Sequence, residues 1–156
     1  MNILFVIGRI ALVLIFLISG GEKLMDISAT AAYIAAKVAV PAALSGLAAQ
    51  ISSATGMTIP QLLAIATGVI EVAAALMIAA NIGTRVGAFL LIVFTLVATF
   101  YFHDFWNMAG AERLDNLVHA EKNLSIIGGL LVMFVLGSWR PAARAADTFE
   151  PGQTRY

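Results

Sequence analysis

Glu71 is the residue of this sequence whose position most needs a chemical explanation. It lies near the middle of an apolar run, residues 59–80, that is long enough to cross a bilayer. A charge at the centre of a bilayer costs roughly 2.5 to 3.5 kcal/mol on insertion scales, and such residues usually face a bundle interior with a partner or a function. On a helix, small residues that let neighbouring helices approach flank this carboxylate: Ala64, Thr67, Gly68, Ala74 and Ala75.

Arg9 is the partner that the sequence offers for Glu71. It lies about 9 Å from the start of the first apolar run, and Glu71 lies about 13 Å from either membrane edge, at 1.5 Å per residue. In antiparallel helices a long arginine side chain bridges that difference. Two interpretations of this buried polar pair stay open: a structural ion pair that fixes helix register, and a polar end to a cavity that moves a proton or binds a ligand. Replacing Glu71 by Ala is expected to leave Arg9 unpaired, at a cost of about 3 to 5 kcal/mol.

A second polar group collects where three of the apolar runs begin or end. The runs bring charged and hydrogen-bonding side chains to one level, beside an aromatic cluster typical of a membrane boundary. A histidine there can hydrogen-bond a quinone carbonyl or relay its proton, because imidazole titrates near neutrality. The alternative is interfacial snorkelling with surface salt bridges. The candidate residues of this mouth are Lys23, His103, Asp104, Trp106, Lys122 and Asn123.

Other kinds of site have little support. The chain has no cysteine, which excludes disulfides, thiolate metal sites, iron–sulfur clusters and dithiol chemistry. His103 and His119 with Asp104 or Glu121 match no metal-ligand spacing, so we expect no metal. The sequence also lacks a phosphate-binding glycine loop, a nucleophile elbow and the basic runs of nucleic-acid binding proteins. Any electrons must be carried by a bound cofactor or a partner.

The elements that position these residues are predicted to be membrane-spanning helices. Of 156 residues, 61% are hydrophobic and 12% charged, about half the charged fraction of an ordinary globular domain. The predicted fold is all-α, an integral membrane four-helix bundle over residues 1–141 followed by a polar tail over 142–156. The spans are predicted at residues 3–20, 60–80, 85–103 and 122–139, the last closed by Trp139, Arg140 and Pro141.

The connections between the spans set the topology. Residues 26–58 predict two short helices, at about 30–38 and 42–53, that lie at the interface or are partly re-entrant; the alternative is a fifth span, which would separate the termini. Residues 107–121 predict a polar surface loop. Acidic residues on the far side favour cytoplasmic termini. In the third span, Thr95 and Thr99 are expected to donate hydrogen bonds between helices.

Together these residues resemble the DoxX family of small bacterial four-span membrane proteins. The resemblance implies a four-helix bundle in the bacterial inner membrane and a link to quinone-coupled redox complexes, because the similar DoxD protein is a subunit of a thiosulfate:quinone oxidoreductase. The sequence departs from the family at Ala73 and Ala74, where a glycine pair is common. The matching positions, in order, are Arg9, Ser19-Gly20, Lys23, Gly68-Val69-Ile70-Glu71, Gly83-Thr84-Arg85, His103-Asp104-Phe105-Trp106, Lys122-Asn123 and Gly128-Gly129-Leu130.

Two functions from different classes stay open. The first is a subunit of a quinone-linked oxidoreductase complex that handles non-covalently bound quinone, acts with other membrane or peripheral redox subunits, and is not catalytic alone. The alternative is an accessory, assembly or scaffold subunit that binds membrane proteins through its small-residue faces and takes no ligand. Quinone-dependent thermal stabilisation distinguishes them. A transporter is disfavoured, since the sequence shows no inverted repeat.

Overall fold

The computed structural model describes residues 3–137, which are mostly helical and form no strand. Four long helices, α1 (Ile3–Met25), α4 (Ile59–Ala79), α5 (Thr84–Phe102) and α6 (Gly110–Leu136), make up the bundle. Two shorter helices, α2 (Ile27–Lys37) and α3 (Ser45–Thr55), lie between α1 and α4. The described residues contain four helices long and apolar enough to cross a membrane, and no fifth. The predicted all-α membrane bundle is confirmed.

Local signals in the sequence define both ends of α4. Thr58 caps its N-terminus in a complete capping box with Gln61, whose side-chain oxygen accepts from the Thr58 amide at 2.8 Å. At the other end, Asn81 and Gly83 both have positive φ, 61° and 64°, and the chain reverses there. The reversal makes α5 antiparallel to α4.

Glycines let α1 and α4 cross at close range. A Cβ added to Gly20 would lie 2.9 Å from the Gly68 carbonyl oxygen and 2.9 Å from Glu71 Cβ, and one added to Gly68 would lie 2.9 Å from Leu24 Cγ. Only small residues allow such an approach between membrane helices. Because Leu24, near the end of α1, is level with Gly68, the first part of α4 extends beyond α1.

Helix α2 covers that exposed part of α4. Asp26 separates α1 from α2 and caps α2 by accepting from the Ala29 amide at 2.9 Å. Ala31 and Ile34 are the buried residues of α2. Helix α3 has no buried residue, and its depth in the bilayer stays a prediction.

One half of the bundle, next to the turn between α4 and α5, is packed with apolar side chains. We call it the filled half. Its helices also approach closely, since a Cβ on Gly87 would lie 2.7 Å from the Ala74 carbonyl oxygen. The buried core cluster of this half consists of Val13, Phe16, Ala74, Ala75, Ile78, Ala88, Leu91, Leu130 and Met133.

The loop predicted over residues 107–121 is wrong for most of its length. Helix α6 already begins at Gly110 and continues through the polar stretch. No glycine or proline interrupts residues 111–127, most of which form helices readily, and Glu112 in the first turn complements the helix dipole. The predicted closing residues Trp139, Arg140 and Pro141, and the tail, lie outside the described residues.

Candidate functional site

The other half of the bundle encloses a cavity of about 290 Å³, and we call it the hollow half. Residues of α1, α2, α4, α5 and α6 line the cavity, most of them apolar or aromatic. Polar groups occur at two levels: Lys23 and Glu71 near the centre of α4, and His103 and Asn123 towards the far end. The hollow half therefore brings Glu71 together with Lys23, His103 and Asn123 of the predicted mouth, without Arg9.

Glu71 forms its ion pair with Lys23. The carboxylate is fully buried, and Lys23 Nζ lies 3.0 Å from Glu71 Oε1. Lys23 Nζ also donates to Ser19 Oγ and lies 5.7 Å from the centre of the Phe94 ring. Helical side chains lean towards the N-terminus of their helix, so Lys23 reaches back one turn towards Ser19 and Gly20, beside Glu71.

The predicted pairing of Arg9 with Glu71 is not what the structure contains. Glu71 packs against Gly20, and Arg9 is 11 residues before Gly20 on α1, which is about 16 Å along the helix axis. The prediction placed both helices between the same membrane edges, whereas α1 ends level with the middle of α4. Arg9 is buried as predicted, with its guanidinium 5.2 Å from the Phe5 ring centre. Its Nε and Nη1 have no hydrogen-bond partner among residues 3–137.

The Lys23–Glu71 pair keeps hydrogen-bonding capacity for a ligand. An ammonium group has three N–H donors, and in the described chain Ser19 and Glu71 occupy two of them. Glu71 Oε2 is buried and has no hydrogen-bond partner among the described residues. Buried polar atoms normally bond to protein, water or ligand. This end of the cavity thus offers one donor and one acceptor.

His103 and Asn123 provide the polar groups at the far end. His103 Nδ1 lies 3.1 Å from Asn116 Oδ1, and the Asn116 amide donates to the Glu112 carbonyl. With this amide orientation His103 Nδ1 is the donor to Asn116 Oδ1. Asn123 donates to Thr99 Oγ1 at 2.9 Å and so links α6 to α5.

The threonines of α5 do not donate between helices as predicted. Thr99 donates to the Thr95 carbonyl at 2.7 Å, and Thr95 donates to the Leu91 carbonyl at 2.6 Å. A threonine in a helix readily forms this bond to the preceding turn. Thr99 contributes to the contact between helices only as the acceptor from Asn123.

The structure divides the predicted mouth residues into two sets. Lys23, His103 and Asn123 line the cavity, whereas Asp104, Trp106 and Lys122 do not. Their binding to a ligand stays a prediction in both cases.

The three residues outside the cavity have partners of their own. Asp104 lies 3.8 Å from Lys37 Nζ, and Trp106 packs on Phe100 with ring centres 5.7 Å apart. Lys122 Nζ lies 3.0 Å from His119 Nδ1, and the His119 ring stacks on His103 at 4.9 Å. The described part of the chain contains no group of three or more side chains placed to hold a metal ion.

Several residues of the cavity wall were missed by sequence reasoning. Ser19 was identifiable, since it lies one helical turn before Lys23. Tyr33 is the only aromatic residue in 26–58, and it stacks on Phe102 with ring centres 5.1 Å apart. Nothing in the sequence identified Phe94 as a cavity residue, because phenylalanine is common in apolar helices. Which residues line the cavity depends on how the helices pack against one another, and the sequence pattern does not give that packing.

The arrangement suits a small, flat, apolar molecule with hydrogen-bonding groups. The cavity is close to the lower limit of about 300 Å³ for small-molecule sites, which are mostly apolar with a few placed polar groups. Phe94 on α5 and His103, the residue that follows the last turn of α5, are nine residues apart and mark the two polar levels of the cavity, about 13 Å apart along the helix axis.

Comparison with known proteins identifies relatives of this sequence. The family model described as DoxX matches residues 4–104, which cover α1 to α5 and His103. A relative from Escherichia coli (strain K12), named "Inner membrane protein YphA", is 34% identical over 145 residues, 93% of this chain and 89% of the relative. No solved structure matches.

Proposed function

This chain belongs to the DoxX family, and we propose that it is a quinone-binding subunit of a membrane oxidoreductase complex. The ring of the quinone is held in the cavity beside Lys23 and Glu71. Four apolar helices and the relative named as an inner membrane protein support a multi-pass protein of the bacterial inner membrane.

The observation that carries the proposal is a partly buried donor, Lys23, beside a fully buried acceptor, Glu71, at the end of an apolar cavity. When bound, a quinone supplies reversible two-electron, two-proton chemistry. Lys23 has an N–H free for a carbonyl oxygen, and Glu71 Oε2 can accept from the hydroxyl of the reduced form. Phe16 and Phe94 meet edge to face at 6.3 Å and provide an apolar wall for the ring.

The proposal requires a partner that delivers electrons. The chain has no cysteine, so it offers no thiolate ligands for an iron–sulfur relay. Its motifs also match no nucleotide cofactor site. The role of this chain is therefore to bind and orient the quinone, while another membrane or peripheral subunit transfers electrons to it.

The alternative role as a scaffold without a ligand has weaker support. It relied on small-residue faces that would bind other membrane proteins. In the structure Gly20 packs on Gly68, and Gly87 packs on Ala74, so these four small residues already form contacts inside the chain. A scaffold role also gives no reason for a cavity bordered by an ion pair whose carboxylate is fully buried.

Native mass spectrometry of the protein extracted from its own membrane in mild detergent tests the proposal. We expect a retained quinone mass and a stoichiometric redox polypeptide. Ala98→Leu, which fills the cavity from α5, is the matched control and should lose the quinone while keeping the polypeptide. A wild-type spectrum with the chain alone, or a simple homo-oligomer without quinone, would support the scaffold role instead.

A further inference from the structure

Helices α1 and α6 make few contacts with each other, and both border the cavity. They contact each other where Leu12 lies against Gly129, since a Cβ on Gly129 would be 2.9 Å from Leu12 Cδ1. Beyond this contact, Ser19 on α1 and Asn123 on α6 line the cavity. We call the space between α1 and α6 beyond Leu12, at the side of the cavity, the gap.

Ile15 lies at the rim of this gap. It lines the cavity, and yet 45% of its surface is exposed on the outside of α1. Its exposed neighbours Leu14 and Ile18 are also apolar. Because α1 is long and apolar enough to span the membrane, the surface onto which the gap opens faces lipid.

We propose that the ligand enters from the bilayer through the gap between α1 and α6, and that its apolar tail leaves past Ile15. This inference rests on the proposed function and narrows the ligand to membrane-dissolved quinones with a long side chain. The cavity of about 290 Å³ has room for a ring, but a long tail must lie outside it. The gap gives that tail a path into lipid.

Val97 provides the competing route. It is the other exposed aliphatic residue of the cavity wall, and it lies on α5 and not on α1 or α6. A tail that left at Val97 would make Ile15 irrelevant. The two residues can therefore be tested against each other.

The experiment compares two probes on the purified full chain by thermal shift. One probe is a dimethoxy-methyl-benzoquinone without a side chain, and the other is the same ring with a decyl chain. In Ile15→Trp the bulky ring closes the gap, so the dissociation constant for the decyl probe should rise about tenfold while that for the bare ring changes less than about twofold. Ile18→Trp is the matched control, since Ile18 is exposed on α1 but does not line the cavity; both probes should bind it as they bind wild type.

The other outcomes separate this inference from the proposed function. If Val97→Trp, and not Ile15→Trp, selectively weakens the decyl probe, or if Ile15→Trp affects both probes equally or neither, the α1–α6 route is wrong while quinone binding stands. If wild type binds neither probe, the proposed function fails and the inference fails with it. If the Ile15→Trp protein does not fold, Ile15→Ala replaces it as the test variant. Because its smaller side chain widens the gap, the association rate of the decyl probe should rise about threefold. An unchanged or slower association rate would contradict the route.

Discussion

The two halves of the bundle each contain one cation of α1, and the burial and surroundings of these two cations differ. Arg9 belongs to the filled half and is 2% exposed, with no carboxylate within ion-pair distance among residues 3–137. Lys23 belongs to the hollow half, pairs with Glu71 and borders the cavity. A buried charge therefore does not by itself identify a ligand site; unfilled space beside the charge does.

Packing explains how the halves should respond to substitution. Protein interiors are as dense as organic crystals, so a filled region responds to the addition or loss of a single methylene. In the filled half, even a methyl group on Gly87 would press on the Ala74 carbonyl. The hollow half should accept added volume and lose ligand instead of stability.

The largest expected loss of unfolding free energy follows from breaking the Lys23–Glu71 pair. Lys23→Met leaves Glu71, which is fully buried, without its cation, and should cost about 3 to 5 kcal/mol of unfolding free energy. Detergent-solubilised protein unfolded by heat and by denaturant measures this loss. A melting temperature equal to that of wild type would contradict the role of the pair.

A double variant separates the charge from the packing. Lys23→Met with Glu71→Leu replaces both charges by apolar side chains of similar size. Replacing a whole buried pair in this way is often neutral or stabilising, so the double variant should melt near wild type. If it is as unstable as Lys23→Met, the loss comes from packing and not from the unpaired carboxylate.

Two alanines on α5 compare the halves directly. Ala88 is fully buried in the core cluster, whereas Ala98 lines the cavity. Ala88→Leu should cost about 1 to 3 kcal/mol through overpacking, and Ala98→Leu should cost much less because the space is open. Equal costs in chemical denaturation would mean that the two halves are packed alike.

Breaking the contact between α5 and α6 on the cavity wall should lower the unfolding free energy by a smaller amount. Asn123→Leu removes the hydrogen bond to Thr99 Oγ1. Such bonds between membrane helices contribute about 0.6 kcal/mol on average and up to about 1.7. A loss beyond that range in the unfolding free energy would assign Asn123 a larger structural role than this one bond.

Removing the ion pair at the exposed end of α2 should cause the smallest loss of stability. The Lys37–Asp104 pair has an N–O distance of 3.8 Å, and both side chains are partly exposed. Surface pairs contribute about 0 to 1 kcal/mol and are screened by salt. Lys37→Met should therefore shift the melting temperature little, and less at high salt; a large loss would show that this pair holds α2 over the cavity.

The sequence predicted the helices better than their register. Long apolar runs marked the spans, and the small residues around Glu71 indicated its buried face. The partner of Glu71 was misassigned because depth was measured from membrane edges, whereas Gly20 and Gly68 set how far α1 slides along α4. The cavity could not be predicted, since empty space depends on how five helices diverge.

The central claim is that the hollow half binds a quinone through Lys23 and Glu71 while the filled half only supports the fold. Thermal shift by the side-chain-free benzoquinone on wild type, Ala98→Leu and the Lys23→Met, Glu71→Leu double variant tests it most directly. We expect three similar melting temperatures without ligand, and a quinone-dependent rise in wild type alone, because only a ligand that binds the folded state stabilises it. An equal rise in all three proteins, or none in wild type, would contradict the claim.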